Sequence, residues 1–178
     1  MNEHRECILV LGMHRSGTSA FCSLLNASGL KFGKSLMPPS FDNPKGFFEN
    51  LKITRLNDEL LHVLGSKWDS PKSPFALSID QPIPSEFYQR GMNLIHEEFS
   101  DDSFFFIKDP RMCYTLPFWK KVLNELSITF KYVVVLRNPN EIVESLKRRN
   151  GFANSKSILL IASYLLSADS FTRDAPRS

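Results

Sequence analysis

A short apolar strand followed by a glycine-rich loop and a helix is the feature of this sequence that most restricts its fold. The residues from Cys7 to Leu11 are all apolar, which is typical of a strand buried on both faces of a parallel sheet. Gly12 and Gly17 bracket the next segment, and apolar residues then recur at helical spacing until Gly29. This order predicts an α/β domain with the loop at the carboxyl end of its first strand.

Two further strands are predicted, and each of them ends in polar residues. The strand Phe104–Ile107 is followed by Lys108-Asp109-Pro110-Arg111, and the strand Tyr132–Leu136 is followed by Arg137-Asn138-Pro139. Because parallel strands end at the same edge of a sheet, the polar residues after all three strands should face one crevice. Helical periodicity predicts flanking helices that begin at Phe47 and that cover about 88–99, 116–126, 139–150 and 155–171. Two proline-rich stretches separate some of these helices, and we predict an ordered loop over 31–46 and a surface excursion over 66–84.

The composition excludes several classes of protein. The chain has 178 residues, of which 42% are hydrophobic and 23% charged, and these values are those of a globular protein rather than a disordered or fibrous one. We expect residues 1–178 to form a single domain. The net charge of +3 is too small to indicate a nucleic-acid partner. The three cysteines, Cys7, Cys22 and Cys113, form no C-x-x-C pair, so we expect neither a disulfide framework nor a zinc site.

Nothing in the sequence predicts export or membrane insertion. The first apolar run, Ile8–Leu11, is too short for the apolar region of a signal peptide. The longest apolar stretch, Ile158–Ala168, is shorter than the roughly 20 residues that a membrane-spanning helix needs. We therefore expect a cytoplasmic protein.

The glycine loop has the layout of a phosphate-binding loop. In the segment Gly12-x-x-x-x-Gly17-Thr18-Ser19, glycines allow successive backbone N–H groups to converge on an oxyanion in front of a helix N-terminus. Nucleoside triphosphatases of this type have a lysine where this chain has Thr18, and here the cation lies earlier, at Arg15. The alternative interpretation is a tight strand-to-helix turn that binds no ligand.

A specific family resemblance comes from two motifs taken together. His14-Arg15-Ser16-Gly17-Thr18-Ser19 resembles the 5′-phosphosulfate loop of sulfotransferases that use 3′-phosphoadenosine 5′-phosphosulfate (PAPS). That family also has an arginine at the end of a strand and a serine eight residues later, and Arg137 and Ser145 match this second motif. The segments Asn43–Glu49 and Lys108–Arg111 are similar to bacterial members, so the resemblance covers about residues 7–178.

The resemblance implies a fold, a reaction and a co-substrate. The fold would be a P-loop-like parallel sheet flanked by helices, in a sulfotransferase-like three-layer α/β/α arrangement. The reaction would be in-line, metal-independent transfer of a sulfuryl group from PAPS to a hydroxyl or amine. The acceptor would be a small molecule, a carbohydrate or a lipid, and the sequence does not distinguish among them or predict the oligomeric state. Relatives usually continue past a segment like 172–177 of this chain, so the domain is expected to be C-terminally incomplete.

The resemblance also assigns roles to individual residues. PAPS would be bound by His14, Arg15, Ser16, Gly17, Thr18 and Ser19 around the phosphosulfate and by Arg137 and Ser145 at the 3′-phosphate. Arg15 would stabilise the leaving oxygen, His14 and Lys108 would contact the sulfuryl group, and Glu49 would be the general base for the acceptor.

Several of these residues also have an ordinary structural interpretation. Glu49 could be a first-turn glutamate of a helix, and His14 could be a surface residue of the loop. Ser145 could be a solvated helix serine and Arg137 a structural ion-pair partner, while Asp109-Pro110 could be a turn. Two alternative functions also stay open, namely a P-loop kinase or nucleoside triphosphatase and a non-catalytic, truncated nucleotide-binding module.

Overall fold

The computed structural model describes residues 4–40, 43, 46–71 and 83–175. The described part begins with a strand and three helices, continues with a strand, a helix and a strand, and ends with two helices. In chain order the elements are β1 (Glu6–Leu11), α1 (Thr18–Ala27), α2 (Leu51–Val63), α3 (Ser85–Phe99), β2 (Phe104–Lys108), α4 (Met112–Glu125), β3 (Thr129–Val134), α5 (Pro139–Asn150) and α6 (Asn154–Thr172).

The three strands form one parallel sheet in the order β2-β1-β3. In the pairing register, Val10 of the central strand lies opposite Lys108 on one side and Val133 on the other. All three carboxyl ends therefore lie at one edge of the sheet, as the sequence predicted. The α/β class and the parallel sheet flanked by helices are confirmed.

Helices cover both faces of the sheet, but unequally. Side chains alternate between the two faces along a strand. In β1, Cys7, Leu9 and Leu11 pack into the large core that includes residues of α2 to α6. Val10 faces the other way and packs with Cys22 of α1 and Phe106 of β2 in a smaller cluster. One face is thus covered by α1, and the other by the remaining helices.

The third strand starts and ends earlier than its apolar run predicted. It covers Thr129–Val134 instead of Tyr132–Leu136, because its register follows β1 and β1 ends at Leu11, opposite Val134. The chain then leaves the sheet, and Leu136 is 70% exposed. A run of apolar residues therefore located the strand but not its ends.

Two helices start at positions that periodicity alone did not identify. Helix α2 begins at Leu51 and not at Phe47, because the Asn50 side chain accepts hydrogen bonds from the amides of Lys52 and Ile53 at 3.0 and 3.2 Å and so caps the helix. Glu49 therefore precedes the helix and is not a first-turn residue of it.

Helix α4 begins at Met112, ahead of the predicted start at 116, and it continues through Pro117. Asp109 Oδ1 accepts the Arg111 amide at 3.0 Å, which orders the turn that leads into this helix. The helix thus begins directly after the second polar cluster, and its first turn faces the edge of the sheet where that cluster lies.

The last two helices agree with the prediction. Helix α5 has Asn138 as its N-cap, Pro139 in its first turn and Gly151 with φ 67° at its C-terminal end. Helix α6 covers Asn154–Thr172. Most of the predicted excursion over 66–84 lies outside the described residues.

Candidate functional site

A cavity of about 740 Å³ lies at the carboxyl edge of the sheet. It brings together residues from all three polar segments that follow the strands, as the sheet topology predicted. Five cationic side chains line it, and Glu49 is the one acidic residue among its described lining. The predicted site residues that line it are His14, Arg15, Gly17, Thr18, Ser19, Glu49, Lys108 and Arg137.

The glycine loop is held in a conformation that requires glycine at its first position. A Cβ on Gly12, which has φ 154°, would lie 2.8 Å from Ser16 Oγ and 2.9 Å from the Val135 carbonyl oxygen. Gly17, with φ 95°, forms the N-cap of α1 and supplies no side-chain cap. The Ala20 amide donates to the Gly17 carbonyl at 3.0 Å, but the Thr18 and Ser19 amides before it have no acceptor within the helix, so these two are available to an anion in front of it.

Helix α4 contacts this loop through a buried hydrogen bond. The Gly12 amide donates a hydrogen bond to Cys113 Sγ at 3.2 Å. Burial raises the pKa of the Cys113 thiol to about 12, so the sulfur remains a neutral acceptor at physiological pH. This role of Cys113 was not predicted.

Arg15 connects the glycine loop to helix α5. Its backbone has φ 70°, which is unusual for a residue other than glycine. Its Nε donates to Ser145 Oγ at 2.8 Å, and its carbonyl oxygen accepts from Arg137 Nη1 at 3.1 Å. The structure therefore brings Arg15, Arg137 and Ser145 together, with Arg15 between the other two.

Two of the predicted binding residues lie behind the cavity wall. Ser16 and Ser145 are 4% and 5% exposed and are absent from the described residues that line the cavity. Ser145 is thus a buried residue and not a solvated helix serine. Ser16 Oγ is buried without a hydrogen-bond partner in the described structure, so its bonding capacity is not used there.

Glu49 and Lys108 form a buried ion pair in the cavity wall. Lys108 Nζ lies 2.5 Å from Glu49 Oε1 and also donates to the Phe47 carbonyl at 3.0 Å and to Ser19 Oγ at 3.3 Å. Their side chains are 6% and 3% exposed. Desolvation by burial raises the pKa of Glu49, although the Lys108 charge opposes this effect.

His14 is half-buried and lines the cavity beside two aromatic rings. Its ring centroid lies 4.7 Å from that of Trp68 and 6.0 Å from that of Tyr164. Its Nε2 is buried and has no hydrogen-bond partner among the described residues. Burial lowers the pKa of His14 well below its usual value, and the charges of Arg111, Arg149, Lys108 and Arg15 lower it further. The imidazole is therefore neutral at pH 7.

Asp109 and Arg111 organise the loop that carries Lys108. Asp109 is fully buried, and it accepts hydrogen bonds from Asn57 Nδ2 at 2.9 Å and from Arg111 Nη1 at 3.0 Å. Arg111 Nε also lies 2.6 Å from Asp58 Oδ1. Asp109 is therefore more than a turn residue, because it also connects the loop to Asn57 of α2 and to Arg111.

Sequence reasoning missed several residues of the cavity wall, among them Trp68 and Arg149. The Arg149 guanidinium lies 5.6 Å from the centre of the Trp68 ring. Trp68 lies in the aperiodic segment after α2, and its carbonyl accepts from Tyr164 Oη of α6 at 2.7 Å. Arg149 looked like an ordinary cation in the last turn of α5, so only the lone tryptophan in a polar segment could have drawn attention to this wall.

The comparisons with known proteins do not assign this site. No family model, no curated protein and no solved structure matches the chain. Within the described residues, no three His, Cys, Asp or Glu side chains are grouped so that they could hold a metal ion. No helix in the described part of the chain is long and apolar enough to cross a membrane.

Proposed function

We propose that this chain is a sulfotransferase that transfers the sulfuryl group of PAPS to a hydroxyl or amine acceptor without a metal ion. The observation that carries the proposal is the junction of the glycine loop, Lys108 and Arg137 around one cation-lined cavity. The two motifs that resemble PAPS-dependent enzymes lie on different elements, yet Arg15 joins them through Arg137 and Ser145. The proposal includes a fold with a P-loop-like, three-layer α/β/α arrangement.

The cavity wall has unused capacity of the kind that an anionic ligand needs. The Thr18 and Ser19 amides at the start of α1 can donate hydrogen bonds, and the cationic side chains supply positive charge. A phosphosulfate is anionic throughout the transfer, and its leaving phosphate gains negative charge as the S–O bond breaks. Preorganised donors and cations at this point stabilise that charge, and one such donor contributes roughly 3–4 kcal/mol.

Glu49 is the residue that we propose as the general base. In the transfer, the acceptor oxygen forms a bond to sulfur while the bond from sulfur to the 5′-phosphate oxygen breaks, and the acceptor proton passes to the carboxylate. The raised pKa of Glu49 makes it a better proton acceptor at neutral pH than an ordinary glutamate. Lys108, which is paired with Glu49 and bonded to Ser19, keeps this carboxylate beside the glycine loop.

Calorimetric titration with adenosine 3′,5′-bisphosphate tests the proposal, because this product analogue contains both phosphates but no sulfuryl group. We expect binding that does not depend on Mg²⁺ and is tighter than that of Mg-ATP. The Arg137→Ala variant should bind the bisphosphate more than tenfold more weakly and adenosine 5′-monophosphate almost normally, since a charged hydrogen bond contributes roughly 1.5–3 kcal/mol. Equal or tighter binding of Mg-ATP to the wild-type chain would instead favour a kinase or a nucleoside triphosphatase.

A further inference from the structure

The edge of the Arg137 guanidinium formed by Nε and Nη2 is already occupied in the structure. Its Nε and Nη2 lie 2.7 and 2.6 Å from Glu141 Oε2, and its Nη1 donates to the Arg15 carbonyl at 3.1 Å. All three nitrogens thus have an acceptor. A ligand phosphate can bind the edge formed by Nε and Nη2 only if the Glu141 carboxylate leaves it.

Glu141 is placed so that it can leave without disturbing the rest of the site. It lies one helical turn after Arg137 in the first turn of α5, and it is exposed. It is not among the described residues that line the cavity, whereas Arg137 is. The Nη1 bond to the glycine loop does not involve Glu141, so the guanidinium stays attached to the loop when the carboxylate is exchanged.

We propose that Glu141 sets the affinity of this site for a 3′-phosphate, because its carboxylate competes with that phosphate for Arg137. This inference depends on the proposed function, because it takes the 3′-phosphate as the group that replaces Glu141. A phosphate monoester carries a charge of roughly −1.5 to −2 at pH 7, which is more than the single charge of a carboxylate. A phosphate can therefore displace the carboxylate, and the competition lowers the affinity for 3′-phosphate ligands without changing the affinity for ligands that have a hydroxyl there.

The size of the expected effect follows from the exposure of the pair. The side chains of Arg137 and Glu141 are 41% and 55% exposed, and exposed ion pairs are weak. Removing the competing charge should therefore tighten the binding of a 3′-phosphate by about two- to fivefold and no more. A ligand without that phosphate gains nothing, because it has no group that uses the released guanidinium edge.

The test compares Glu141→Gln with a matched control, Glu144→Gln. The two variants remove the same charge from neighbouring turns of α5, but Glu144 is not a partner of Arg137. Calorimetry is done with adenosine 3′,5′-bisphosphate and with adenosine 5′-monophosphate. We expect Glu141→Gln to tighten only the bisphosphate, by about two- to fivefold, and Glu144→Gln to leave both affinities within the error of the measurement. Glutamine retains the shape of glutamate near the helix start, so α5 should be preserved.

Each other outcome has a distinct meaning. Equal tightening by both variants would show a general charge effect and overturn the inference. Weaker bisphosphate binding by Glu141→Gln would make Glu141 a positioning residue for Arg137 and also overturn it. If Glu141→Gln does not fold, Glu141→Asp retracts the carboxylate and should tighten the bisphosphate in the same direction. If the wild-type chain binds the bisphosphate and the monophosphate equally, the proposed function itself fails, which is distinguishable from a failure of Glu141 alone.

Discussion

Two buried glutamates, Glu49 in the cavity wall and Glu98 in helix α3, show how differently one residue type is used in this chain. They are 4% and 1% exposed as residues, so both carboxylates are largely removed from water. The pKa of Glu49 is raised and that of Glu98 is lowered to about 2. Their exposed fractions are therefore alike, whereas their hydrogen-bond partners differ.

Glu98 has many hydrogen-bond donors around it. Burial by itself raises the pKa of Glu98, but the donors more than offset this effect and stabilise the charged form. Some of the donors belong to the 33–36 segment: the Lys34 amide lies 2.8 Å from the carboxylate, and the amide and hydroxyl of Ser35 lie 2.7 and 2.8 Å from it. The others belong to the start of α2, where Asn50 Nδ2 lies 2.7 Å and Lys52 Nζ 3.0 Å from the carboxylate. This carboxylate fastens a loop and a helix start to α3.

Among the described residues Glu49 has one ion-pair partner, Lys108, and desolvation outweighs the attraction of Lys108. A carboxylate with few donors and a raised pKa is ready to take a proton, whereas one with many donors and a low pKa is not. The comparison indicates that Glu49 is suited to chemistry and that Glu98 is suited to structure. Substituting each glutamate by glutamine should therefore change different properties of the protein.

The largest effect is expected for Glu49→Gln on turnover. Glutamine keeps the size of the side chain and an oxygen that accepts from Lys108, but it removes the basic oxygen. If Glu49 is the general base, sulfuryl transfer should slow by about 10²–10⁴-fold while bisphosphate affinity holds or improves slightly. The measurement is transfer of labelled sulfuryl from PAPS to the acceptor that the wild-type chain uses best in a panel of alcohols, phenols and sugars.

The matched variant for this experiment is Glu98→Gln. It should transfer sulfuryl groups at a near-normal rate at a temperature where it is folded. Near-normal turnover in Glu49→Gln would move the base to another residue, and His14 would be the first to test because its imidazole is neutral and lines the cavity.

The second effect is a loss of stability in Glu98→Gln. An amide cannot accept from all the donors that now bond to the carboxylate, so buried donors are left without a partner. Losing one hydrogen bond to a charged group costs about 1.5–3 kcal/mol, and we expect the free energy of unfolding to fall by at least that amount. Urea unfolding followed by circular dichroism measures it, and an unchanged midpoint would mean that the 33–36 segment is not fastened through Glu98.

The fold was predictable where local signals and burial agree. The continuous apolar runs in β1 and β2, the Asn138 cap and the Gly151 end of α5 all appear where the sequence indicated. The start of α2 was missed because Asn50, a side-chain cap, overrode the apolar periodicity from Phe47. The ends of β3 depend on its register with β1, and such long-range pairing is not encoded in the local pattern.

The candidate site was predictable at the level of its segments but not of its contacts. Strand ends in a parallel sheet meet at one edge, so the clusters around Arg15, Lys108 and Arg137 could be placed together in advance. The bond from Arg15 to Ser145 could not, because it joins side chains 130 positions apart in the sequence and depends on the left-handed backbone of Arg15. The wall formed by Trp68 likewise depends on its anchoring to α6 through Tyr164.

The smallest and most specific effect is the dependence of stability on pH through Glu98. Its pKa is about 2 in the folded chain and near 4.5 in the unfolded one, so the unfolded state binds more protons between these values. The stabilisation by Glu98 is therefore complete above about pH 5 and is lost as the pH falls toward 2.

Asp69, Asp101 and Asp174 also have lowered pKa values, so the wild-type chain loses stability in acid for several reasons. The difference in unfolding free energy between wild type and Glu98→Gln isolates Glu98, and it should be largest near pH 6 and shrink at pH 3. A difference that stays constant over this range would show that the lost contacts do not depend on the charge of Glu98, and the contrast with Glu49 would then lose its electrostatic basis.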